Sequence, residues 1–254
     1  MTETLPRDSL DPAKTAFFFD CDGTLAAIVD QPDAARVEPE IVEFVRILHA
    51  ATDGALAVVS GRSIAQLDVM LAPLVLPAAG VHGVERRDGA GTIYRPEFDA
   101  AAVLQIAARL DEFAAQHEGL VSEVKSASVA IHYRMCPELE GEALSLMTDI
   151  ASQYPEFRLL RGKMVAELSA SHRNKGDALE DFMREAPFRG RLPIFVGDDV
   201  TDEDGFVAVS KLNGIGIKIG AGTTSATHRV GTLHDFHDWL RQLSQTWTAA
   251  APAL

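Results

Sequence analysis

The segment FFFDCDGTLAAI, residues 17–28, sets an apolar run against two aspartates separated by a single cysteine. Three consecutive phenylalanines make a short continuous apolar stretch, the mark of a strand covered on both faces. Asp20 and Asp22 follow at its carboxyl end. Two like charges so close repel each other, and neither gains from an apolar neighbour. Such a pairing persists where a cation binds between the acids or where they perform chemistry. Alternation along an extended chain turns Cys21 away from both acids, which assigns it to packing.

Composition bounds what the acids can serve. The chain has 254 residues, 47% hydrophobic and 24% charged, as in a globular protein of one large or two smaller domains. Its formal net charge of −14 argues against non-specific binding to nucleic acid or anionic membranes, which need a basic surface. The opening MTETLPRDSLDPAK lacks the apolar centre of a secretion signal, and no run is long enough to span a bilayer. Cys21 and Cys136 are the two cysteines, so neither a disulfide framework nor a cysteine metal site is expected. These features predict a cytoplasmic protein without nucleic-acid or membrane partners; a monomer is expected.

Working outward, apolar runs at 16–19, 55–60, 192–199 and 214–220 predict strands. Helical spacing, as in Ile41, Val45 and Leu48, predicts helices at 38–51 and 63–71. Strands alternating with helices imply an α/β fold: a Rossmann-like parallel sheet with its ligand site beyond the carboxyl strand ends. The middle of the chain breaks that rhythm. An amphipathic helix at 99–116 precedes a hairpin at 120–134, a helix at 138–154 and a second hairpin from 157–160 and 163–169. In the first hairpin Val129, Ile131 and Tyr133 point one way, His132 and Arg134 the other. The same parity puts Glu123 and Lys125 on one face, and Glu167 opposite Met164, Ala166 and Leu168. The reading is an α+β module at 98–170 inserted into a core made of 1–97 and 171–254.

In a parallel sheet the strand ends converge on one edge. That edge collects Asp20 and Asp22, then Ser60, Gly61 and Arg62, then Asp198, Asp199, Thr201 and Asp202. Lys175 opens the helix expected before the strand at 192–199. Grouped carboxylates suit Mg²⁺, which takes one or two of them besides water and phosphate oxygens. Lysine and serine suit phosphate oxygens, and glycine lets main-chain N–H groups approach. Plain structural alternatives exist. Ser60 also fits a helix N-cap, Lys175 a solvated lysine, and Asp199 and Asp202 a first helical turn, where acids are favoured.

With D-x-D-G-T at 20–24, serine after an apolar strand, then lysine, then G-D-D-x-x-D at 197–202, the chain resembles the haloacid dehalogenase superfamily. The resemblance implies that Asp20 attacks phosphorus to form an aspartyl-phosphate, while Asp22 serves as general acid and then base. It also implies Ser60 and Lys175 on the phosphoryl oxygens. Mg²⁺ would be held by Asp20, Asp198 and the carbonyl oxygen of Asp22, supported by Asp199 and Asp202.

Three longer motifs are similar to the trehalose-6-phosphate phosphatase family: V-G-D-D-x-T-D-E-D-x-F at 196–206, G-V-H-G-x-E at 80–85, and lysine followed by H-Y-R across 125–134. That similarity implies a sugar phosphate substrate, trehalose 6-phosphate, with the inserted module as a cap. Glu123, Lys125 and Glu167 would contact the sugar; Arg62, His82, Gly83, Glu85, His132, Arg134 and Asp202 would complete the substrate-binding set. The charged cap residues equally fit a solvated face of ion pairs, His132 and Arg134 a braced hairpin, and His82 and Glu85 loop structure. After Glu167 the chain departs from the family, with Ser169-Ala170-Ser171-His172 in place of the usual Arg-Pro. Rival readings are another sugar phosphatase or a phosphomutase of the superfamily, or a catalytically silent sugar-phosphate sensor. Intact Asp20 and Asp22 argue against the sensor.

Overall fold

The computed structural model describes residues 5–31, 34–95, 98–125 and 127–250. In chain order, β1 (Thr15–Phe19) leads to α1 (Pro39–Ala51), β2 (Leu56–Val59), α2 (Ile64–Met70), β3 (Ala78–Gly80), β4 (Glu85–Arg87) and β5 (Ile93–Tyr94). Next come α3 (Ala100–Ala115), β6 (Val121–Val124), β7 (Ser128–His132), α4 (Glu140–Gln153), β8 (Arg158–Gly162) and β9 (Val165–Ser169). The chain returns through α5 (Lys175–Arg184), β10 (Leu192–Gly197), α6 (Glu203–Lys211), β11 (Ile215–Ile219), β12 (His228–Val230) and α7 (Leu233–Ala250).

The phenylalanine run explains the layering. Every residue of β1 is buried, with Phe17 and Phe19 in one apolar cluster and Phe18 in another. Phe17 packs on Trp239 and Trp247 of α7, with ring centroids 6.4 and 5.7 Å away, while Phe18 lies 5.3 Å from Phe188 on the opposite face. Each buried phenylalanine contributes about 1.5–3 kcal/mol, so both faces of β1 hold the sheet between helical layers. That sheet has eight strands in the order β12-β11-β10-β1-β2-β3-β4-β5. Pairing is parallel from β12 to β3, and β4 and β5 add antiparallel at one edge. Charge enters only where β1 leaves the sheet, at Asp20, whose N–H donates to Val196 O at 2.9 Å.

Five elements fall outside the sequence expectation. The strands β3, β4, β5 and β12 are two or three residues long and carry too little pattern to predict. Helix α7 did carry one: Phe236, Leu240, Leu243 and Trp247 recur at helical spacing and are all buried.

The middle of the chain builds a separate antiparallel sheet, β6-β7-β9-β8. Val129, Ile131, Ala166 and Leu168 face α3 and α4 through Ile106, Leu110, Met147 and Ile150. The other face carries Glu123, Ala130 and Glu167 in register across β6, β7 and β9. Tyr133 keeps its predicted side although β7 ends at His132; its hydroxyl donates to Glu140 Oε1 at 3.2 Å. Met164 does not join Ala166 and Leu168. It occupies the turn between β8 and β9 at φ 63° and is exposed. Among the described residues, no helix is long and apolar enough to cross a membrane.

Candidate active site

Four strand and helix ends meet where β1 stops. Asp20 is buried there, and Lys175, the first residue of α5, reaches it from the neighbouring layer: Nζ donates to Asp20 Oδ1 at 2.8 Å and to Asp202 Oδ1 at 2.6 Å. Asn174 fixes that helix start by a capping box with Asp177. Lys175 is only 2% exposed, so it is no solvated surface lysine. Burial opposes its charge, but Asp20 and Asp202 outweigh burial and hold the ammonium well above its ordinary range. Ser60 is buried at the end of β2, where its Oγ accepts from the Arg62 N–H at 3.2 Å. The N-cap of α2 is Ser63, which frees Ser60 from that alternative.

The carboxylates crowd together. Burial and then the Asp202 charge push the Asp20 carboxyl well above its ordinary value, against the pull of Lys175. Burial, Asp202 and Asp199 push Asp198 to about 7. Ligand oxygens of Asp20, Asp198 and Asp202 lie within 4.8 Å of one another. Gly23, at φ 79°, passes so near that a Cβ there would stand 2.3 Å from the Asp198 carboxylate. This hard-oxygen set, with its excess negative charge and a glycine keeping it open, fits a divalent cation.

Two acids differ from expectation. Asp202, assigned above to substrate as well as to support of the cation site, is fully buried behind the site and away from substrate: its Oδ2 accepts from the N–H groups of Asp198 and Asp199 at 2.9 and 2.8 Å, and its Oδ1 from Lys175. A helix-turn acid this deep orients the strand end and balances Lys175. Asp199 lies outside the carboxylate cluster. Its Oδ1 accepts from the Val200 N–H at 2.7 Å and its Oδ2 from the Lys163 N–H at 3.1 Å, so it joins the β8–β9 turn to the larger sheet.

Asp22 is half-exposed, and both its oxygens accept from Arg62: Nε to Oδ2 and Nη2 to Oδ1, each 2.7 Å. Beyond it a cleft of about 850 Å³, counted to its open mouth, runs under the second sheet. Asp20, Asp22, Ser60, Arg62, His82, Lys175, Asp198 and Asp199 line one side, and Glu123, Lys125, His132, Arg134 and Glu167 the other. Lys125 Nζ donates to Glu167 Oε2 at 2.6 Å and lies 4.0 Å from Glu123 Oε2; His132 Nε2 is 2.9 Å from the same Glu123 oxygen. Burial would raise Glu123, but the His132 hydrogen bond, Lys125 and Gln66 hold it at about 2. Burial is likewise outweighed at Glu167, which Lys125 and His82 keep well below the usual carboxylate range. Glu167 Oε1 is buried without a hydrogen-bond partner, an acceptor left for a ligand hydroxyl. Arg134 turns partly aside, donating to Lys163 O at 2.9 Å.

Gly83 and Glu85 do not line the cleft. Gly83, at φ 98°, accepts through its carbonyl from Arg173 Nε at 3.0 Å, and a Cβ would stand 2.5 Å from Asn174 O. Glu85 is buried, with Oε1 accepting from the Ile64 N–H at 2.6 Å and Oε2 from Arg95 Nε at 3.0 Å. Both brace the loop that presents His82. Val81 and His82 sit there at φ 49° and 54°, strained values for residues with side chains, fixed by hydrogen bonds to Arg62 O and Ser60 O. Residues absent from the sequence-based set also line the cleft: Ile28, Val29, Asp30, Lys163 and Val165. Gln66, outside the lining, donates to Glu123 Oε1 at 2.9 Å; its S-x-x-Q capping-box spacing from Ser63 was the available signal.

The fold is an α/β architecture with acidic residues gathered at the carboxyl ends of its parallel strands. It is shared with a Bacteroides thetaiotaomicron phosphatase of the haloalkanoate enzyme superfamily (TM-score 0.61, 14% identity, covering 98% of this chain and 99% of that one). The C-terminal domain of Candida albicans trehalose-6-phosphate phosphatase superposes with TM-score 0.81 at 20% identity, covering 91% of this chain and 92% of that one. Residues 18–235 match the sequence profile of the trehalose-phosphatase family. The Escherichia coli K12 trehalose-6-phosphate phosphatase is 41% identical over 244 residues, 96% of this chain and 92% of that one. A probable trehalose-phosphate phosphatase of Sinorhizobium fredii is 38% identical over 213 residues, 84% of this chain and 80% of that one. The chain belongs to the trehalose-phosphatase family.

Proposed function

We propose that this enzyme is a cytoplasmic, Mg²⁺-dependent phosphatase that hydrolyses trehalose 6-phosphate through an aspartyl-phosphate. The observation that carries the reading is the buried Asp20–Lys175 pair, 2.8 Å apart, opening into the same cleft as Glu123 and Glu167. Residues 98–170 act as the cap over a core of 1–97 and 171–254.

Lys175 occupies Oδ1 of Asp20 and leaves Oδ2 for attack on phosphorus. As the new P–O bond forms, the bond to the sugar oxygen breaks, and Asp22 supplies the proton to that leaving oxygen. Protonation of Asp22 weakens its acceptance from Arg62 at the protonated oxygen, so the fork loosens for this step and tightens again afterwards. Water then attacks the phosphorus, gives its proton to Asp22, and releases phosphate with Asp20 restored. Ser60 and Lys175 hold the phosphoryl oxygens throughout. Asp20, Asp198 and the carbonyl of Asp22 would hold Mg²⁺, with Asp202 behind them; bound there, it offsets negative charge on phosphate and carboxylates. Glu123, Lys125 and Glu167 take sugar hydroxyls, and the cap excludes bulk water.

Phosphate release from a panel of sugar phosphates, with Mg²⁺ and then EDTA, tests this. A Mg²⁺-dependent preference for trehalose 6-phosphate supports core and cap together. Activity on other esters alone would reject the cap assignment, and no activity on any ester would point to a sensor.

A further inference from the structure

Gln66 belongs to α2 in the larger-sheet unit, yet it bonds to the second sheet. Its Oε1 accepts from the Ser63 N–H at 2.9 Å and the Ser63 hydroxyl at 3.0 Å. Two donors on one oxygen settle which way the amide points, so its NH₂ faces Glu123 and donates to Oε1 at 2.9 Å. The other Glu123 oxygen is served from within the second-sheet unit, by His132 at 2.9 Å and Lys125 at 4.0 Å. Glu123 is therefore held from both sides of the cleft. Glu167 also meets both sides, through Lys125 at 2.6 Å and His82 Nε2 at 3.5 Å from Oε2, but its Oε1 has no hydrogen-bond partner.

We propose that Gln66 is a positioning residue for the sugar end of the cleft: acting through Glu123, it sets the closed placement of the cap and hence the preference for a disaccharide phosphate over a small aryl phosphate. This inference rests on the reading of Glu123 as a sugar ligand. A carboxylate oxygen offers two lone pairs, so Oε1 keeps its bond to Gln66 while accepting a sugar hydroxyl. The amide of a residue locked in a capping box is already ordered, so the tie costs little side-chain entropy on closure.

Gln66→Ala would remove the capping box together with the tie, which makes Gln66→Glu the sharper variant. Serine and glutamate still close the box, but the donor facing Glu123 becomes a like-charged acceptor. Steady-state kinetics with Mg²⁺ are measured on trehalose 6-phosphate and p-nitrophenyl phosphate for the parent, Gln66→Glu, Glu123→Ala and the double variant. KM for trehalose 6-phosphate is expected to rise about tenfold in Gln66→Glu, the worth of one hydrogen bond to a charged group. Turnover of p-nitrophenyl phosphate stays unchanged, and the substitution adds nothing in the Glu123→Ala background. An equal loss on both substrates, or the same tenfold rise without Glu123, overturns the inference and leaves Gln66 a helix cap. A parent enzyme inactive on trehalose 6-phosphate, or an unchanged KM in Glu123→Ala, rejects the sugar-site reading itself and this inference with it.

Discussion

Arg62 holds Asp22 in a two-bond fork, Nε to Oδ2 and Nη2 to Oδ1, both at 2.7 Å. Arg62 is itself buried, so the fork fixes the plane of a half-exposed carboxyl at the cleft floor. Its sequence assignment was to substrate; its structural partner is the proposed general acid. Arg62→Lys keeps the charge and loses the fork. We expect kcat to fall about 10–100-fold on sugar and aryl phosphates alike, the range for charge-assisted hydrogen bonds. Steady-state kinetics on both substrates check this, and a parental kcat would show that the fork is dispensable.

Lys175 is buried between Asp20 and Asp202. Lys175→Met leaves two buried acids uncompensated, which costs about 3–5 kcal/mol. Urea unfolding should show a matching loss of stability, with phosphate release abolished. Parental stability in this variant would mean that the acids are offset by something else.

Asp198 at about 7, against an ordinary 3.8, makes stability depend on pH. A carboxyl raised on folding binds its proton more tightly in the folded chain. The folded state therefore holds more protons between about pH 4 and pH 7, and this group's contribution falls as pH rises through that window. A divalent cation competes with the same proton. The Tm increment from Mg²⁺ should accordingly be larger near pH 8 than near pH 5.5. Thermal scans at both pH values decide it; equal increments would place the cation away from Asp198.

Glu123 and Glu167 flank Ala130 on one face of the second sheet and share Lys125. Glu123→Ala or Glu167→Ala should raise KM for trehalose 6-phosphate at least tenfold, about one charged hydrogen bond, and depress p-nitrophenyl phosphate turnover far less. Substrate-pair kinetics test this. Equal losses on both substrates would make the pair structural.

Local pattern made the core legible. Phe17, Phe18 and Phe19 could only be a strand buried on both faces, and the acids after them could only lie at its edge. Parity along the middle hairpins likewise put Glu123 and Lys125 on one face and Glu167 opposite Ala166 and Leu168; that Glu123 and Glu167 share a face follows from the pairing of β6 and β9 with β7. Motif membership was a poorer guide to contact. Gly83, Glu85 and Asp202 stand beside cleft residues in the chain, yet their hydrogen bonds run to Arg173, to Ile64 and Arg95, and to Lys175 and the Asp198 and Asp199 N–H groups, partners that only the tertiary fold brings near. The same holds for Gln66: its S-x-x-Q spacing marks a local cap, but its reach to Glu123 depends on how two sheets face each other.

In the proposed mechanism Asp20 carries the phosphoryl group. Acid-quenched enzyme, mixed with trehalose 6-phosphate and Mg²⁺ and digested, can be searched by mass spectrometry for a phosphorylated peptide containing Asp20. That adduct is expected in the parent enzyme and is lost, with turnover, in Asp20→Asn. Parental turnover by Asp20→Asn would contradict that mechanism.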